Sequence, residues 1–340
     1  MGTGLRVVRQ GVCLALLGGM VVSIVSCDSE AEGAAGSGDN EGTVTLTVGD
    51  SAATAAETLL EAAGELEDVP YEIEFATFTS GPPQIEAANA GQLDIALVGS
   101  TPPILAGDTA TSVVQATASS GEGTALLVPE DSDIDSVEDL AGATVGVTQG
   151  SAGHGLLLLA LDDAGVDPDE VEPAFIQPPD AHNAFHAGDL DAWAIWDPYA
   201  VEAEESGATV LARADEFVDN YAFTLAADHA LADPELEEAV GDFLARWGRA
   251  SIWAEENVEE WSEIYAAETG IDLDTAIKQN ERSNPVPVPL DDQVVEAQDE
   301  IARLFEEAGL IDDFPGFAAL IDDRFDEDLE ELFEAARNAS

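Results

Sequence analysis

The sequence has 340 residues, 46% of them apolar, which is enough for two domains with sizeable cores and excludes a wholly disordered chain. Asp and Glu number 71 against ten Lys plus Arg, and the formal net charge of −61 excludes nucleic acid and anionic lipid headgroups as partners of the bulk surface. At about 1 M salt the Debye length falls to about 3 Å and such repulsion is screened, so the charge predicts a halophilic source.

The first 26 residues are predicted to be a signal peptide. Arg6 and Arg9 precede an apolar run over 11–25 that is too short for a comfortable membrane span. The run ends in Ile24-Val25-Ser26-Cys27, which resembles a bacterial lipobox with Ile in the usual Leu position. We therefore expect lipidation of Cys27, which would anchor the protein to the outer face of a membrane.

Residues 27–42 are predicted to be the lipidated cysteine and a flexible tether, because glycine, alanine, serine and acidic residues cannot bury enough apolar area to fold. Cys13 would leave with the signal peptide and Cys27 would carry lipid. The mature fold is then expected to have no disulfide and no cysteine metal site.

From residue 43 onward, strand and helix signals alternate. The first block predicts strands at 43–48, 71–78, 93–98 and 113–118 and helices at 53–63, 83–90 and from 100. The second block predicts strands at 125–128, 144–148, 174–177, 192–195 and 210–211 and helices at 136–140, 151–164 and 180–187. A crossing back at 221–226 leads to helices at 234–255, 258–269, 274–280 and 294–308.

This rhythm predicts an α/β fold with two lobes built on parallel sheets and covered by helices. Residues 43–124 form the first part of lobe 1, residues 125–220 form lobe 2, and residues 221–340 return to lobe 1 with the C-terminal helices. Ligands of such sheets bind at the carboxyl ends of the strands, so we expect a ligand cleft between the lobes.

Three strand-to-helix junctions share one construction: a strand, a turn of glycine or small polar residues, and a helix. They are 79–84 (TSGPPQ), 99–103 (GSTPP) and 149–154 (QGSAGH). Such residues are common helix caps, but glycine also admits a ligand, hydroxyls donate hydrogen bonds, and helix N-termini offer unpaired N–H groups. The candidate ligand-binding residues at these junctions are Ser80, Gly81, Gln84, Ser100, Thr101, Gly150, Ser151 and His154.

A fourth candidate segment, 189–199 (DLDAWAIWDPY), is rich in aromatic residues. From the residues alone, core packing explains it equally well. In a cleft, tryptophan offers an apolar wall and an indole N–H donor, which suits a ligand with an alkyl body and an oxyanion head. Trp193, Trp196, Asp197 and Tyr199 are therefore candidates, and the sequence leaves open which tryptophan faces the ligand.

The segments 78–106 (FTSGPPQIEAANAGQLDIALVGSTPPILA), 144–166 (TVGVTQGSAGHGLLLLALDDAGV) and 180–200 (DAHNAFHAGDLDAWAIWDPYA) closely resemble bacterial aliphatic-sulfonate-binding proteins. These belong to the nitrate/sulfonate/taurine group of ABC-importer solute receptors, and the resemblance covers residues 44–310 in order. One departure is Thr79-Ser80, where Pro-Ala is expected and where the change adds a hydroxyl.

The resemblance implies a periplasmic-binding-protein type II fold whose two lobes close on the ligand. It also implies that the matching Ser, Gly, His and Trp positions line the cleft. The expected partners are a small-molecule ligand and the permease subunits of an ABC transporter. We expect an extracytoplasmic monomer, held at the membrane by lipid.

No lysine or arginine occurs between Arg9 and Arg213. An anion bound by these segments would be held by neutral donors and helix dipoles, which favours a weakly hydrated sulfonate over phosphate. His154 could donate a further hydrogen bond or serve only as a cap residue. His182 and His186 have metal-compatible spacing without an evident third ligand, so we expect a solvated helix face, no metal and no cofactor.

Alternative ligands for the same receptor role are taurine, nitrate and a thiamine-precursor pyrimidine, although the two tryptophans favour an organic body over bare nitrate. Desulfinase-like enzymes share the fold and form a different class, but they rely on cysteine or histidine-rich sites. The chain has no GxSxG, no dinucleotide fingerprint and no Walker A lysine, Lys278 being the single lysine. A sensor or structural surface lipoprotein is the remaining alternative. We predict a binding protein, not an enzyme.

Overall fold

The computed structural model describes residues 44–51, 53–106 and 109–339. The predicted signal peptide, tether and lipidation site at Cys27 lie outside the described residues.

Eleven strands form two sheets within the described residues, with orders β11-β4-β10-β3-β1-β2 and β7-β6-β8-β5-β9. The strands are β1 (Thr45–Ser51), β2 (Glu72–Phe78), β3 (Ile95–Gly99), β4 (Thr111–Ser119), β5 (Thr124–Val128), β6 (Thr144–Val147), β7 (Glu172–Phe175), β8 (Ala192–Trp196), β9 (Thr209–Arg213), β10 (Asn220–Ala227) and β11 (Val286–Val288). Strands β5 to β9 thus make the second sheet, and the flanking parts of the chain make the first. The lobe boundaries at 124/125 and 220/221 remain a proposal on that basis.

The expectation of parallel sheets is wrong, because both sheets are mixed. β1 runs parallel to β2 and β3, and β6 runs parallel to β7 and β8. However, β10 is antiparallel to β3 and β4, β11 is antiparallel to β4, and β5 is antiparallel to β8 and β9. The connections over 120–123 and 214–219 lead from one sheet to the other, and the strands that follow them, β5 and β10, pair antiparallel within their new sheets.

Twelve α-helices cover the sheets in the part of the chain that the structure describes. They are α1 (Ala56–Ala62), α2 (Gly81–Asn89), α3 (Pro102–Ala106), α4 (Ala152–Ala164), α5 (Pro178–Ala187), α6 (Tyr199–Glu205), α7 (Asp228–Ala232), α8 (Pro234–Glu256), α9 (Val258–Thr269), α10 (Leu273–Ser283), α11 (Asp292–Glu307) and α12 (Asp326–Ala339). The predicted helices are present with shifted ends, whereas α6, α7 and α12 were not predicted.

Helix α4 shows how local sequence sets an element that reaches the cleft. The Ser151 hydroxyl oxygen caps its start by accepting the His154 N–H at 3.4 Å. Gly165 ends it in the left-handed region at φ 68°. Between the caps, every residue from Gly153 to Leu161 is buried, so α4 is a core helix.

Alternation along the central strands places apolar side chains on both faces of each sheet. On β3, Ile95 and Leu97 pack on one face while Ala96 and Val98 pack on the other. On β8, Ala192 and Ala194 face one core and Trp193 faces the opposite core. Each sheet is therefore covered by helices on both sides, and the strand ends remain for a ligand.

Candidate ligand-binding site

A cavity of about 230 Å³ lies where the two sheets approach each other. It is lined by residues at the carboxyl ends of β1, β3 and β8, by Gly123 in the first connection between the sheets, and by the first residues of β10. Its lining includes seven of the candidate residues: Ser80, Gly81, Gln84, Ser100, Ser151, Trp196 and Asp197. The sheet geometry therefore brings the three predicted junctions and the end of the aromatic segment to one place.

Two longer helices begin at this cavity. Gly81 and Ala152 are the first residues of α2 and α4, and both line it. The first N–H groups of a helix have no partner within the helix and carry the positive end of its dipole. Pro82 and Pro83 have no N–H, so the start of α2 offers its donor chiefly at Gly81. This end of the cavity is suited to an anion.

Two of the serines use their hydroxyl protons within the protein. Ser80 Oγ donates to Gln177 Oε1 at 3.1 Å, and Thr79 Oγ1 donates to the same oxygen at 2.9 Å. The two hydroxyls at Thr79-Ser80, where the resembling proteins are expected to have Pro-Ala, thus link the two lobes through Gln177. Ser151 Oγ donates to the Thr148 carbonyl at 2.7 Å. Among the neutral groups that line the cavity are the first N–H groups of α2 and α4, the Ser100 hydroxyl and the Trp196 indole.

The α4 start also depends on a close backbone approach. A Cβ on Gly153 would lie 2.6 Å from the carbonyl oxygen of Ala194 in β8, a distance that real Cβ atoms do not reach. Glycine at this position therefore lets the helix N-terminus sit directly against the strand end that carries Trp196.

A carboxylate lines the cavity beside these donors, and an arginine neutralises it. Arg282 donates to Asp197 Oδ2 at 2.8 Å and to Oδ1 at 2.7 Å, and it also donates to Glu204 at 2.9 Å. Ser283 Oγ donates to Asp197 Oδ2 at 2.8 Å. Burial alone would lower the pKa of Arg282, but hydrogen bonds and charge from Asp197 and Glu204 raise it above its ordinary value. Burial raises the pKa of Asp197, and the hydrogen bonds and charge of Arg282 oppose that rise. The donors of Arg282 are thus engaged by the carboxyl groups of Asp197 and Glu204.

Among the described residues, no lysine or arginine lines the cavity. The stretch without lysine or arginine ends before α10. This helix places Arg282 against Asp197, a contact that the sequence did not predict.

Aromatic side chains also line the cavity, and most of them were not predicted from the sequence. Trp247 in α8 and Trp261 and Tyr265 in α9 line the cavity together with the predicted Trp196. These three helix residues are at most 4% exposed, so their pattern in the sequence is that of ordinary core positions. The folding of α8 and α9 against elements distant in sequence brings them to the cavity.

The remaining candidates are not among the residues that line the cavity. Trp193 and Tyr199 pack beside each other in the second lobe with ring centroids 5.8 Å apart, because alternation on β8 turns Trp193 away from the cleft. Thr101 is fully buried. Gly150 has a φ of 74°, and its N–H donates to His154 Nδ1 at 3.2 Å. These residues are not among those that line the cavity, so they support the site rather than form its wall.

His154 is also outside the lining. Its ring packs edge-on against Phe175 and Phe305, with centroids 5.5 and 4.9 Å away. Burial lowers the pKa of His154 from 6.5 to about 4. The ring is therefore neutral and serves packing and the Gly150 turn, not charge-based capture of an anion.

The pKa of His154 predicts a loss of stability in acid. Between pH 6.5 and about 4 the unfolded chain binds a proton at this residue that the native state does not, so stability is retained above pH 6.5 and lost as the pH falls. From pH 7 to pH 5 the loss is about 2 kcal/mol. Urea unfolding at both pH values should show His154→Asn losing about 2 kcal/mol less than the wild type. An equal pH dependence of the two proteins would contradict this assignment.

The described residues contain no cluster of three or more His, Cys, Asp or Glu side chains that could hold a metal ion. The His182 and His186 rings are 4.5 Å apart, and His182 Nε2 lies 3.8 Å from Glu202 Oε2. No helix in the described ranges has the length and apolar character needed to cross a membrane.

Comparison with known proteins agrees with this architecture. A family model described as "ABC transporter, phosphonate, periplasmic substrate-binding protein" matches residues 55–267. A protein of Escherichia coli (strain K12) named for aliphatic sulfonate binding is 32% identical over 244 residues, covering 70% of this chain and 76% of that protein.

Two solved structures share the fold over most of the chain. The alkanesulfonate-binding protein SsuA from Xanthomonas axonopodis pv. citri, bound to MOPS, has a TM-score of 0.75 at 25% identity and covers 82% of this chain and 98% of its own. The periplasmic aliphatic sulphonate binding protein SsuA from Escherichia coli has a TM-score of 0.71 at 28% identity, covering 82% and 97%. The predicted fold class, a periplasmic-binding-protein type II fold with a cleft between two α/β lobes, is confirmed.

These relatives are binding proteins rather than enzymes. On the strength of the family match, the strand topology and the interlobe cavity, the chain belongs to the periplasmic substrate-binding proteins of ABC transporters.

Proposed function

We propose that this protein captures an aliphatic sulfonate outside the cytoplasm and delivers it to the permease of an ABC importer, without catalysing a reaction. One observation carries the ligand assignment: helix N-termini, neutral donors and aromatic rings line the same cavity. The donors suit an oxyanion and the rings an organic body.

The charge of the lining favours a sulfonate over the phosphonate in the description of the matched family. A sulfonate carries one permanent negative charge, whereas a phosphonate has a second ionisable oxygen and is best held by cations. The described lining offers no lysine or arginine, and its carboxylate at Asp197 already occupies Arg282. Taurine, nitrate and a pyrimidine remain the alternative ligands, and the aromatic wall disfavours bare nitrate.

The cellular setting is part of the proposal. The lipobox-like Ile24-Val25-Ser26-Cys27 supports removal of residues 1–26 and lipid attachment at Cys27, with residues 27–42 as the tether. We further propose a monomer in a high-salt environment, because a net charge of −61 is tolerable only when salt screens it.

A thermal-shift screen in about 1 M NaCl tests the ligand class. Propanesulfonate, taurine, nitrate and an aminopyrimidine are compared, with butyrate as a planar oxyanion control. A ligand at about 100 times its dissociation constant stabilises the native state by about 2.7 kcal/mol, which raises Tm by several degrees. We expect that shift for sulfonates and not for butyrate or nitrate. Failure of every sulfonate to stabilise the protein would sink the assignment.

A further inference from the structure

Helix α4 packs against α3 and α11, and this contact joins the two lobes. α4 follows β6 of the second sheet, whereas α3 follows β3 and α11 follows β11 of the first sheet. A movement of one lobe relative to the other therefore shifts α4 over α3 and α11. We call this contact the closing seam, and its residues are Thr101, His154, Gly155, Gln298, Ile301 and Phe305.

The α4 side of the closing seam depends on glycine. A Cβ on Gly155 would lie 2.5 Å from Thr101 Oγ1 and 3.5 Å from Ile301 Cγ2, and the first distance is one that real Cβ atoms do not reach. Gly155 lies inside α4 and has no positive φ, so glycine is required for the space it leaves and not for its backbone conformation. A larger side chain at this position would push Thr101 away from α4.

The α3 and α11 side of the closing seam carries polar groups without partners. Among the described residues, Thr101 Oγ1 and both amide atoms of Gln298 are buried and make no hydrogen bond. Gln298 precedes Ile301 by three positions, so the two side chains share one face of α11. The unpaired atoms raise the free energy of the closed arrangement, and water can satisfy them when the seam parts.

Apolar contacts in the same seam act in the opposite direction. The rings of His154 and Phe305 meet edge-on with their centroids 4.9 Å apart. Leu158 and Leu159 of α4 pack in the same apolar cluster as Ile301 and Phe305 of α11. Burial of these side chains favours closed lobes.

We propose that the closing seam sets the balance between open and closed lobes. Gly155 lets α4 reach Thr101, and apolar burial favours that contact. The unpaired atoms of Thr101 and Gln298 oppose it, so that neither arrangement dominates before the ligand binds. A receptor needs this balance, because a ligand can shift two states only when they are close in free energy. The inference rests on the proposed receptor function but not on the identity of the ligand.

Small-angle X-ray scattering of the ligand-free chain in about 1 M NaCl tests the inference. Gly155→Ala should hold the lobes apart and raise the mean radius of gyration, even though alanine favours a helix more than glycine does. Thr101→Val combined with Gln298→Met removes the unpaired atoms at similar volume. The ratio of closed to open molecules should then rise about tenfold or more, and the radius should fall. The inference is overturned if either protein keeps the wild-type radius or shifts it in the other direction.

Two variants in α8 are matched controls, because they make the same kinds of change within one lobe. A Cβ on Gly248 would lie 2.2 Å from Leu332 Cδ2 in α12, and Ser251 Oγ is buried without a partner among the described residues. Gly248→Ala and Ser251→Ala should therefore leave the radius of gyration at its wild-type value. Shifts as large as those of the seam variants would overturn the inference.

Urea unfolding checks the polar part of the seam. The double variant of Thr101 and Gln298 should be at least as stable as the wild type, because no hydrogen bond is lost. A loss of stability would mean that these atoms are paired in the native state, which overturns the inference. If Gly155→Ala does not fold, the double variant decides the question.

Ligand affinity gives a second readout. Thr101, Gly155 and Gln298 are not among the residues that line the cavity, so they act on binding through the lobes. In calorimetric titration, Gly155→Ala should bind propanesulfonate at least about tenfold more weakly, because fewer molecules are in the closed state. Unchanged affinity would overturn the inference. If propanesulfonate does not bind the wild type, the proposed function has failed, and scattering still decides the role of the seam.

Discussion

Replacement of Arg282 by alanine is expected to lower the free energy of unfolding by about 3–5 kcal/mol. The side chain of Asp197 is 3% exposed and that of Arg282 is 13% exposed, so the substitution leaves a buried carboxylate without its arginine partner. Arg282 lies in α10 and Asp197 follows β8, so the pair joins the C-terminal helices to the second lobe. Denaturant unfolding in about 1 M NaCl measures the loss, since screening by salt acts least on buried pairs.

Two further variants separate this buried pair from generic loss of a charge. Arg249→Ala breaks an ion pair with Glu65 in which Arg249 is 48% exposed, and it should cost less than about 1 kcal/mol. Asp197→Asn combined with Arg282→Met removes both charges and should be more stable than Arg282→Ala alone. Equal losses for Arg282→Ala and Arg249→Ala would show that the Asp197 pair contributes no more than a surface pair.

Replacing Trp196 by alanine should weaken ligand binding, whereas replacing Trp193 by alanine should lower the stability of the fold. Trp196 is half-buried and lines the cavity, so Trp196→Ala should weaken sulfonate binding at least about tenfold, a loss of about 1.4 kcal/mol. Trp193 is fully buried beside Phe185, with ring centroids 5.5 Å apart, so Trp193→Ala should destabilise the fold by about 3–5 kcal/mol.

Titration calorimetry and denaturant unfolding on both variants separate the two effects. Trp193→Ala should retain the wild-type dissociation constant within about twofold, provided it is measured where the variant is folded. A larger loss of affinity in Trp193→Ala than in Trp196→Ala would mean that the assignment of the two tryptophans is reversed.

The parts of the site that could be predicted from the sequence are those formed by neighbouring residues in the chain. The junctions at Ser80, Ser100 and Ser151 could be predicted because glycine, hydroxyl and helix-start signals occur within a few residues of each strand end. Period-2 alternation on a strand cannot show which face meets a cleft, so Trp193 and Trp196 could not be distinguished from the sequence.

The rest of the site depends on contacts that are distant in sequence. Trp247, Trp261 and Tyr265 look like core positions until α8 and α9 pack beside β1 and β3. Arg282 and Gln279 lie in α10, far along the chain from the strands they approach. β5 pairs with β8 and β9, and β10 pairs with β3 and β4, so their antiparallel directions likewise depend on partners that are distant in sequence.

We propose that neutral donors at helix N-termini hold a singly charged sulfonate between the lobes. Calorimetric titration with propanesulfonate and propylphosphonate, at pH 8 in about 1 M NaCl, tests this proposal. We expect measurable binding of the sulfonate and affinity for the phosphonate at least about tenfold weaker, because the described lining offers no lysine or arginine for a second charge. Tighter binding of the phosphonate would show that capture does not rest on neutral donors.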